Sequence, residues 1–475
     1  MTAPSAMDPV EQAARAWLQA HDAELVDFAV RLIRIESVEG PASPGRPFGS
    51  GVAEALGLVV SEGDRLGLET LDVDGYAVHA RWGPPGEDVG VLTHVDVVPA
   101  GEGWSVPPFG GIIRDGRLVG RGAIDDKGPT AAALFALASL VAVGAPVRRG
   151  LRLIVGGDEE TGFQCVRHYF RRHPYPAMAF APDALFPVVF AEKGVLDLTL
   201  GGELPAGPLV RLVGGQRPNV VPDRATAWLE LPPGHDAGRW IEAIRSAATR
   251  YRARIEASAA PDGRIVVESY GVATHGSTPE KGINAAAQLL GCLVDGDGDG
   301  LLDPTGALRF IARAGKGLHG QGLGIAERDD VSGPLTANLG VLRLEGGELR
   351  ATFNVRYPVA IARADGLVAR VRERASEAGL QVLRADDDPP HHVPRDSFLV
   401  RTLLEVYRRE TGDDETPPLA IGGGTYARAV PGGVAYGPVL PFSGVVPHEK
   451  DESIELDHLR KLARIYAAAL WALAR

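Results

Sequence analysis

Three short apolar runs within residues 89–180 constrain the fold of this chain more than any other feature of its sequence. The runs are Val89–Leu92, Leu151–Val155 and Met178–Phe180. An uncharged stretch from Ala131 to Val147 lies between the first two runs, and Gly144 and Pro146 interrupt it. This stretch is too short to span a membrane, so we interpret it as a buried helix. The alternation of strand, helix and strand predicts an α/β fold with a mostly parallel sheet that is covered on both faces.

The pattern of apolar residues changes near residue 192 and changes back near residue 390. Between these points it predicts an α+β domain in which strands alternate with helices. The predicted strands are Val195–Leu200, Arg224–Leu231, Arg264–Tyr270 and Arg350–Tyr357, and helices are predicted near 236–257, 283–294 and 363–378. The acidic and proline-containing segment Asp386–Pro390 is interpreted as a linker. We therefore predict a first domain over 1–192, an inserted domain over 193–390, and the remainder of the first domain over 391–475.

Charge and cysteine content limit the classes of partner and the compartment. The chain has 475 residues and a formal net charge of −12, which argues against nucleic acid as a partner because phosphates require a basic surface. Its two cysteines, Cys165 and Cys292, cannot form a disulfide framework, which favours a reducing compartment. The N-terminal residues lack the basic and apolar pattern of a signal peptide. A cytoplasmic protein without a membrane partner is therefore expected.

Acidic residues and a histidine cluster where the predicted strands end. In chain order they are His94 and Asp96, Asp125 and Asp126, the triplet Asp158 to Glu160, and Asp183. His94 and Asp96 stand two residues apart, so both side chains point to one face of a strand. Each acid alone could cap a helix, but like charges that meet at one edge of a sheet favour a bound cation. Oxygen and imidazole ligands without cysteine are typical of catalytic sites for zinc, cobalt or manganese.

Several motifs occur in an order and with a spacing that resemble a known family. The motifs are THVDVVPAGEGW from residue 93, GRGAIDDKGP from 120, GGDEETG from 156, APDA from 181, RPNVVPD from 217, THGSTPEKGINA from 274, FNVRYP from 353, IGGGTYAR from 421 and PHEKDESI from 447. Over most of its length the chain is similar to the di-zinc amidohydrolases that include aminoacylases, carboxypeptidase G and PepV-type dipeptidases. The likeness is closest to the PepV-type dipeptidases.

The resemblance implies that the chain binds two zinc ions, with cobalt or manganese as alternatives. It assigns His94, Asp125 and Asp183 to one metal, and it assigns Asp125, Glu160 and His448 to the other. Asp125 would then bridge the two ions, because metals about 3.5–4 Å apart need a shared carboxylate. The peptide bond that follows Asp125 is expected to be cis.

The resemblance also implies which residues carry out the reaction. Glu159 would be the general base that takes a proton from a water molecule between the metals and returns it to the leaving amine. Asp96 would orient the imidazole of His94, as carboxylates commonly do for metal-binding histidines. His275, in the inserted domain, would stabilise the oxyanion that forms on the substrate.

The inserted domain resembles the lid of this family, and it supplies the residues expected to bind the substrate. Asn219 and Arg356 would hold its polar end, because the arginine fork pairs with a carboxylate in two places. The loop with Gly423, Gly424 and Thr425 would offer backbone N–H groups to the same carboxylate. The length of the lid implies that His275 serves its own chain and that the protein works as a monomer on small peptides.

These assignments predict a di-zinc metallopeptidase that hydrolyses the amide bond of dipeptides. An N-acyl amino acid deacylase of the same family is the alternative among enzymes, and the sequence leaves that choice open. A catalytically inactive relative that binds metal or peptide is the alternative outside enzymes. Such a relative would be expected to lack the base, and Glu159 is present.

Overall fold

A computed structural model of the chain describes residues 8–297, 300–441 and 447–475. The helices are α1 (Pro9–Ala20), α2 (Asp22–Arg34), α3 (Ser50–Arg65), α4 (Lys127–Ala142), α5 (Gln164–Phe170), α6 (Ala237–Tyr251), α7 (Ala285–Gly296), α8 (Ala307–Lys316), α9 (Asp365–Glu377), α10 (Phe398–Thr411) and α11 (Leu456–Ala474), with short 3-10 helices at Pro279–Lys281 and Tyr426–Ala429. Among the helices of these described ranges, none combines the length and the apolar character needed to cross a membrane.

The strands vary from two to ten residues in length. They are β1 (Glu69–Val73), β2 (Ala77–Trp82), β3 (Asp88–His94), β4 (Ile112–Arg114), β5 (Arg117–Val119), β6 (Gly150–Gly156), β7 (Met178–Ala181), β8 (Ala184–Leu185), β9 (Val189–Glu192), β10 (Gly194–Glu203), β11 (Leu209–Gly214), β12 (Arg224–Leu229), β13 (Arg254–Ala259), β14 (Ile265–Tyr270), β15 (Arg328–Asp329), β16 (Gly333–Pro334), β17 (Thr336–Glu345), β18 (Glu348–Tyr357), β19 (Gln381–Asp388), β20 (His391–His392), β21 (Leu419–Ile421), β22 (Gly433–Ala435), β23 (Pro438–Val439) and β24 (Ser453–Glu455).

The chain divides into two compact units. Unit 1 comprises Met1–Phe190, Val393–Leu419 and Thr425–Arg475, and unit 2 comprises Ala191–His392 and Ala420–Gly424. The segment Ala420–Gly424 differs from the sequence prediction, which placed it in the first domain. It belongs with unit 2 because the Arg356 guanidinium donates to the Gly422 carbonyl at 2.8 Å, and the Lys193 N–H donates to the Ile421 carbonyl at 3.0 Å.

The main sheet of unit 1 is parallel at its centre and antiparallel towards its edges. Its strand order is β1-β2-β6-β3-β7-β22-β9. β3 pairs parallel with β6 on one side and with β7 on the other, and β22 continues the parallel pairing beyond β7. β1, β2 and β6 pair antiparallel. β3 and β6 are buried at every position, as expected of strands covered on both faces, and the predicted α/β class is confirmed.

Helix α4 occupies the long uncharged stretch of the sequence. It is buried without interruption from Lys127 to Leu140, as a helix that is apolar on all sides must be. The helix packs against β3, β6, α1, α2 and α11. Its first turn follows directly after Asp125 and Asp126, and the Thr130 hydroxyl donates to the carbonyl of His94 at 3.2 Å. The helix therefore positions these acids next to the end of β3.

The large sheet of unit 2 is antiparallel throughout. Its strand order is β13-β14-β12-β11-β17-β18-β10-β19, and helices α6 to α9 pack against its strands or one another. Most of the buried apolar side chains of these strands and helices form one large core, and Ala247, Ala248 and Cys292 of α6 and α7 form a small separate cluster. Sheet and helices together match the α+β character predicted for the inserted domain.

The prediction of a linker at Asp386–Pro390 is wrong for its three aspartates. They are the last residues of β19, and each is paired with a residue of β10. Asp387 accepts hydrogen bonds from the Tyr357 hydroxyl at 2.6 Å and from the Ala364 N–H at 3.2 Å. Aspartate is uncommon in strands, but β19 lies at the edge of its sheet, where charged side chains are tolerated.

Candidate metal centre and substrate-binding segments

The ends of three parallel strands bring the predicted metal ligands of unit 1 together. His94 is the last residue of β3 and pairs with Gly156, the last residue of β6. Glu159 and Glu160 follow shortly after β6, and Asp183 follows shortly after β7. Because parallel strands end at the same edge of a sheet, the side chains that follow them converge there.

One group of candidate ligands surrounds His94, which is fully buried. Its Nε2 atom lies 3.1 Å from Oδ1 of Asp125 and 3.8 Å from Oδ1 of Asp183. Ligand atoms of His94, Glu159 and Asp183 all lie within 4.8 Å of one another. Nε2 of His94 therefore lies near carboxylate oxygens of both Asp125 and Asp183, and the group of ligand atoms within 4.8 Å contains the predicted base Glu159 in place of Asp125.

A second group of candidate ligands surrounds His448. Its Nε2 atom lies 2.9 Å from Oε1 of Glu160 and 3.0 Å from Oδ2 of Asp125. Asp125 thus directs one carboxylate oxygen to His94 and the other to His448, which is the arrangement needed by a carboxylate shared between two metals. The Asp125–Asp126 peptide bond is cis, as the resemblance implied.

Asp96 connects the two groups. Its carbonyl oxygen lies 3.0 Å from Nδ1 of His94, and its Oδ1 lies 3.5 Å from the same nitrogen. Its other carboxylate oxygen accepts a hydrogen bond from the Glu160 N–H at 3.0 Å. The backbone of Asp96 is therefore the nearest partner of the imidazole, and its side chain fixes the turn that carries Glu160.

The crowded acids and histidines shift one another's pKa values. Burial raises the pKa of Glu159 well above its ordinary value, and the charge of Asp183 adds to the rise. Burial lowers the pKa of His448, but hydrogen bonds to Asp125 and Glu160 outweigh that effect and raise the pKa to about 10. The neighbouring carboxylates thus contribute to both shifts, and a divalent cation would offset their negative charge.

The donor atoms of the cluster fit a metal centre. Nε2 of His94 and Oδ1 of Asp125 are buried, and neither forms a hydrogen bond of acceptable geometry with the residues that the structure describes. Leaving a buried polar atom without a hydrogen bond costs about 1–3 kcal/mol. Nitrogen and oxygen donors without a thiol suit zinc, cobalt or manganese in a catalytic site.

In unit 2, the predicted residues Asn219 and His275 lie on neighbouring backbone. The Gly276 N–H donates to the Asn219 carbonyl at 2.7 Å, and Val220 and His275 form an isolated β-bridge. Nδ1 of His275 lies 2.7 Å from the hydroxyl of Ser277. Both Asn219 and His275 are exposed, so each side chain is accessible to a ligand.

Arg356 is buried in unit 2, and uncharged groups hold its guanidinium in place. Its Nε donates to Oδ1 of Asn354 at 2.8 Å, and its Nη1 donates to the Gly422 carbonyl at 2.8 Å. Asn354 in turn donates to Oδ1 of Asp197 at 2.6 Å. The arginine fork is thereby fixed in a single orientation relative to its strand.

The glycine segment 422–424 lies between Arg356 and the segment that carries His275. A Cβ atom added at Gly422 would lie 2.8 Å from Cβ of Ser277, so the two backbones approach closely only because residue 422 is glycine. The next residue after this segment, Thr425, is buried in unit 1, and its hydroxyl accepts from the Ala427 N–H at 3.1 Å. Substrate binding by Gly423, Gly424 and Thr425 stays a prediction.

Sequence reasoning missed Tyr426 as a neighbour of the metal ligands. Its N–H donates to Oδ2 of Asp183 at 3.3 Å, and its ring meets the imidazole of His94 edge to face, with centroids 5.8 Å apart. Its hydroxyl lies 2.6 Å from Sγ of Cys165. Tyr426 is part of the motif IGGGTYAR, and this position in a motif was the feature of the sequence that could have indicated it.

Comparisons with known proteins agree with this geometry. A model of peptidase family M20/M25/M40 matches residues 90–472. The putative dipeptidase YtjP of Bacillus subtilis is 39% identical over 469 residues, which cover 95% of this chain and 97% of YtjP. A putative dipeptidase of Staphylococcus epidermidis is 34% identical over 468 residues, which cover 95% of this chain and 97% of that protein.

Among solved structures, human carnosine dipeptidase 1 is similar in fold, with a TM-score of 0.57 at 14% identity; the match covers 98% of this chain and 99% of that one. At such low identity the likeness supports the fold alone. The family match spans every residue of the two ligand groups, and the 39% identity to YtjP extends along nearly the whole chain. The family suggested by the sequence motifs is confirmed: this chain belongs to peptidase family M20/M25/M40.

Proposed function

We propose that the chain is a metal-dependent dipeptidase. The observation that carries the proposal is the position of Asp125, whose two carboxylate oxygens lie 3.1 Å from Nε2 of His94 and 3.0 Å from Nε2 of His448. Membership of a peptidase family supports hydrolysis of an amide bond, and the relatives named putative dipeptidases support dipeptides as the substrates.

Zinc is the proposed metal, with cobalt or manganese as alternatives. His94, Asp125 and Asp183 would hold one ion, and Asp125, Glu160 and His448 would hold the other. Two such ions would polarise the amide carbonyl and lower the pKa of a water molecule. The carboxylates of these residues would remain ionised beside the cations, which offset their mutual repulsion.

Glu159 is the proposed general base. Its carboxylate lies within 4.8 Å of ligand atoms of His94 and Asp183, and the proposal assigns it proton transfer instead of metal binding. It would take a proton from the attacking water and return that proton to the nitrogen of the leaving amino acid. Burial and the neighbouring charge of Asp183 raise the pKa of Glu159, a direction that suits a group that accepts a proton.

The substrate-binding residues are proposed to lie mainly in unit 2. Arg356 would pair with the terminal carboxylate of the dipeptide, with backbone N–H groups of Gly423, Gly424 and Thr425 nearby. Asn219 would contribute a hydrogen bond to the same end of the substrate. His275 would donate to the oxyanion that develops on the amide carbonyl.

A panel of three substrate types tests the proposed function. Free dipeptides, N-acetylated amino acids and C-terminally amidated dipeptides are assayed with protein saturated with metal. The dipeptidase proposal predicts that free dipeptides are hydrolysed best. Preferred hydrolysis of N-acetylated amino acids would identify the deacylase alternative, and metal binding without hydrolysis of any amide would identify the inactive relative. The cytoplasmic location stays a prediction from the sequence.

A further inference from the structure

A buried ion pair lies between the two turns that carry Asp125 and His448. Nη1 of Arg121 lies 2.6 Å from Oε2 of Glu452, and the two side chains are 1% and 0% exposed. Arg121 stands four residues before Asp125, and Glu452 stands four residues after His448. Neither side chain is among the proposed metal ligands, so the reaction as proposed gives the pair no task.

Glu452 holds the backbone of the proposed bridging ligand. Its Oε1 accepts hydrogen bonds from the Ile124 N–H at 3.0 Å and from the Asp125 N–H at 3.2 Å. Its Oε2 faces Arg121. One carboxylate therefore ties the peptide groups next to the Asp125 side chain to a fixed positive charge.

Arg121 holds the backbone of the turn that carries His448. Its Nη2 donates to the carbonyls of His448 at 3.1 Å and Ala100 at 3.3 Å, and its Nη1 donates to the Glu449 carbonyl at 3.3 Å. His448 has a φ of 67°, a left-handed conformation that residues other than glycine adopt when their surroundings hold them in it. The planar, multi-donor guanidinium reaches several turns at once, which a lysine ammonium cannot do.

Strand pairing sets the register of this ion pair. β24 pairs with β5 with Ser453 opposite Val119, and the Gly120 N–H donates to the Glu452 carbonyl at 2.9 Å. The ion pair therefore lies directly beyond the paired residues of β5 and β24, next to the turns that carry Asp125 and His448. A buried ion pair is an inefficient source of stability, because both charges lose their hydration. A role in fixing the position of its neighbours explains the pair better.

We propose that Arg121 and Glu452 are positioning residues that hold Asp125 and His448 at the spacing that two metal ions require. The inference rests on the proposed function, because it takes both of these neighbours as metal ligands. The pair acts through the backbone and contacts neither substrate nor metal. Its loss should therefore weaken metal binding out of proportion to any loss of stability.

Metal affinity tests the proposal, with Co²⁺ as the probe because the visible absorption of bound cobalt reports its ligand geometry. The full-length protein is stripped with a chelator and titrated with Co²⁺. Arg121→Lys keeps the charge and loses the fork, whereas Glu452→Gln keeps the shape and loses the charge. Each variant should bind cobalt about 10- to 100-fold more weakly, as is typical when the partners of metal ligands are changed, and with an altered absorption spectrum.

The matched control is the buried ion pair Arg152–Asp88, also in unit 1. Nε of Arg152 lies 3.1 Å from Oδ2 of Asp88, and its Nη2 donates to the Pro174 carbonyl at 3.0 Å. Arg152→Lys should lower thermal stability to an extent similar to Arg121→Lys while leaving cobalt affinity and absorption unchanged. An equal loss of cobalt affinity in the control would mean that general destabilisation is the cause, and it would overturn the proposal.

Wild-type cobalt affinity in a folded Arg121→Lys or Glu452→Gln variant would overturn the positioning role and leave the proposed function standing. Two variants are made so that one decides the question if the other fails to fold. Wild-type protein that binds no cobalt and hydrolyses no dipeptide would contradict the proposed function, and the positioning role with it.

Discussion

The turns that are proposed to bind metal in unit 1 and the segments that are proposed to bind substrate in unit 2 are held in place by different kinds of bond. In unit 1, the buried ion pair Arg121–Glu452 fixes backbone next to two ligands. In unit 2, the buried amide of Asn338 donates to the carbonyls of Pro218 and Val220, on either side of Asn219, at 2.9 and 3.0 Å. Another uncharged amide, that of Asn354, accepts a hydrogen bond from Nε of Arg356 and helps to orient the guanidinium.

This difference follows from the charge that each region is proposed to bind. A cluster that holds cations carries surplus carboxylates, and a buried arginine beside them is tolerated when it is paired with one of them. A region that binds an anionic group needs its positive charge directed at the ligand. The Asn354 amide and the Gly422 carbonyl orient the Arg356 guanidinium, which is proposed to face the carboxylate of a dipeptide.

The largest effect is expected from Glu159→Gln, which removes the proposed base from unit 1 and leaves the ligands intact. We expect kcat to fall by at least ~10³-fold, because both activation of water and protonation of the leaving amine are lost. Metal analysis of the purified variant should find both ions. Near-normal kcat in a metal-loaded variant would refute the assignment of Glu159.

The same variant tests whether the regions of one chain cooperate with each other. The monomer proposal holds that His275 serves the metal centre of its own chain. Mixing inactive Glu159→Gln protein with inactive His275→Ala protein should therefore restore no activity, and specific activity should stay constant on dilution. Recovered activity in the mixture would mean that the histidine is donated between subunits.

Arg356→Ala is expected to have the next largest effect, and it tests the charge proposed for unit 2. Loss of a charge-assisted bidentate pair should weaken transition-state binding of free dipeptides by about 2–4 kcal/mol. This corresponds to a fall in kcat/KM of roughly 30- to 1000-fold. Amidated dipeptides should be affected far less. The control is Arg350→Ala on the same strand, since Arg350 is 57% exposed and pairs with Glu348. Equal losses on both substrate types would assign Arg356 a structural role.

A pH-dependent difference in stability is expected from His79 in unit 1. Burial lowers the pKa of this imidazole to about 4, and the charge of His173 adds to the shift. The unfolded chain, with an ordinary histidine pKa of about 6.5, then binds more protons between pH 6.5 and 4, so stability falls as the pH is lowered through that window. The full shift would correspond to about 3 kcal/mol at pH 4, solvent screening of this half-buried group makes the loss smaller, and the loss fades as the pH rises above 6.5.

Hydrogen exchange of the wild type and of His79→Gln measures this loss. The glutamine can keep the contact to the Tyr169 hydroxyl, which lies 2.8 Å from Nδ1 of His79. The amides of unit 1 should lose protection between pH 6.5 and 4 in the wild type and lose less in the variant. Identical pH profiles for wild type and His79→Gln would contradict the assignment.

The smallest effect is expected from Asn338→Leu, which removes the buried amide of unit 2. The carbonyls beside Asn219 lose their donor, so unfolding free energy should fall by about 1–3 kcal/mol. The Asn219 segment should also lose its fixed position, which should raise KM for free dipeptides while both metals stay bound. Loss of metal from this variant would contradict the proposal that Asn338 supports substrate binding in unit 2 and not metal binding in unit 1.

Sequence patterns predicted the parts of this molecule that depend on local order. The apolar runs that became β3, β6 and β7 gave the parallel sheet, and the residues that follow them were expected to meet because parallel strands share an edge. The acidic end of β19 was missed, because aspartates and prolines are typical of linkers and pairing with a distant strand overrides local preference.

The features that the sequence did not predict depend on contacts between distant segments. Arg121 and Glu452 are 331 residues apart, and Asn338 lies more than a hundred residues from the carbonyls it binds. Neither association leaves a periodic pattern in the sequence. The motifs that contain Arg121 and Glu452 were noted, but only the assembled turns reveal which side chain bonds to which backbone.

We propose that this chain hydrolyses dipeptides with two metal ions bound at the ends of β3, β6 and β7. The most direct measurement is a titration of chelator-stripped protein with zinc, in which bound metal and hydrolysis of a free dipeptide are followed together. We expect no activity in the stripped protein and full activity when two zinc ions are bound per chain. Full activity of the stripped protein, or zinc binding at this stoichiometry with no hydrolysis of any dipeptide, would contradict the proposal.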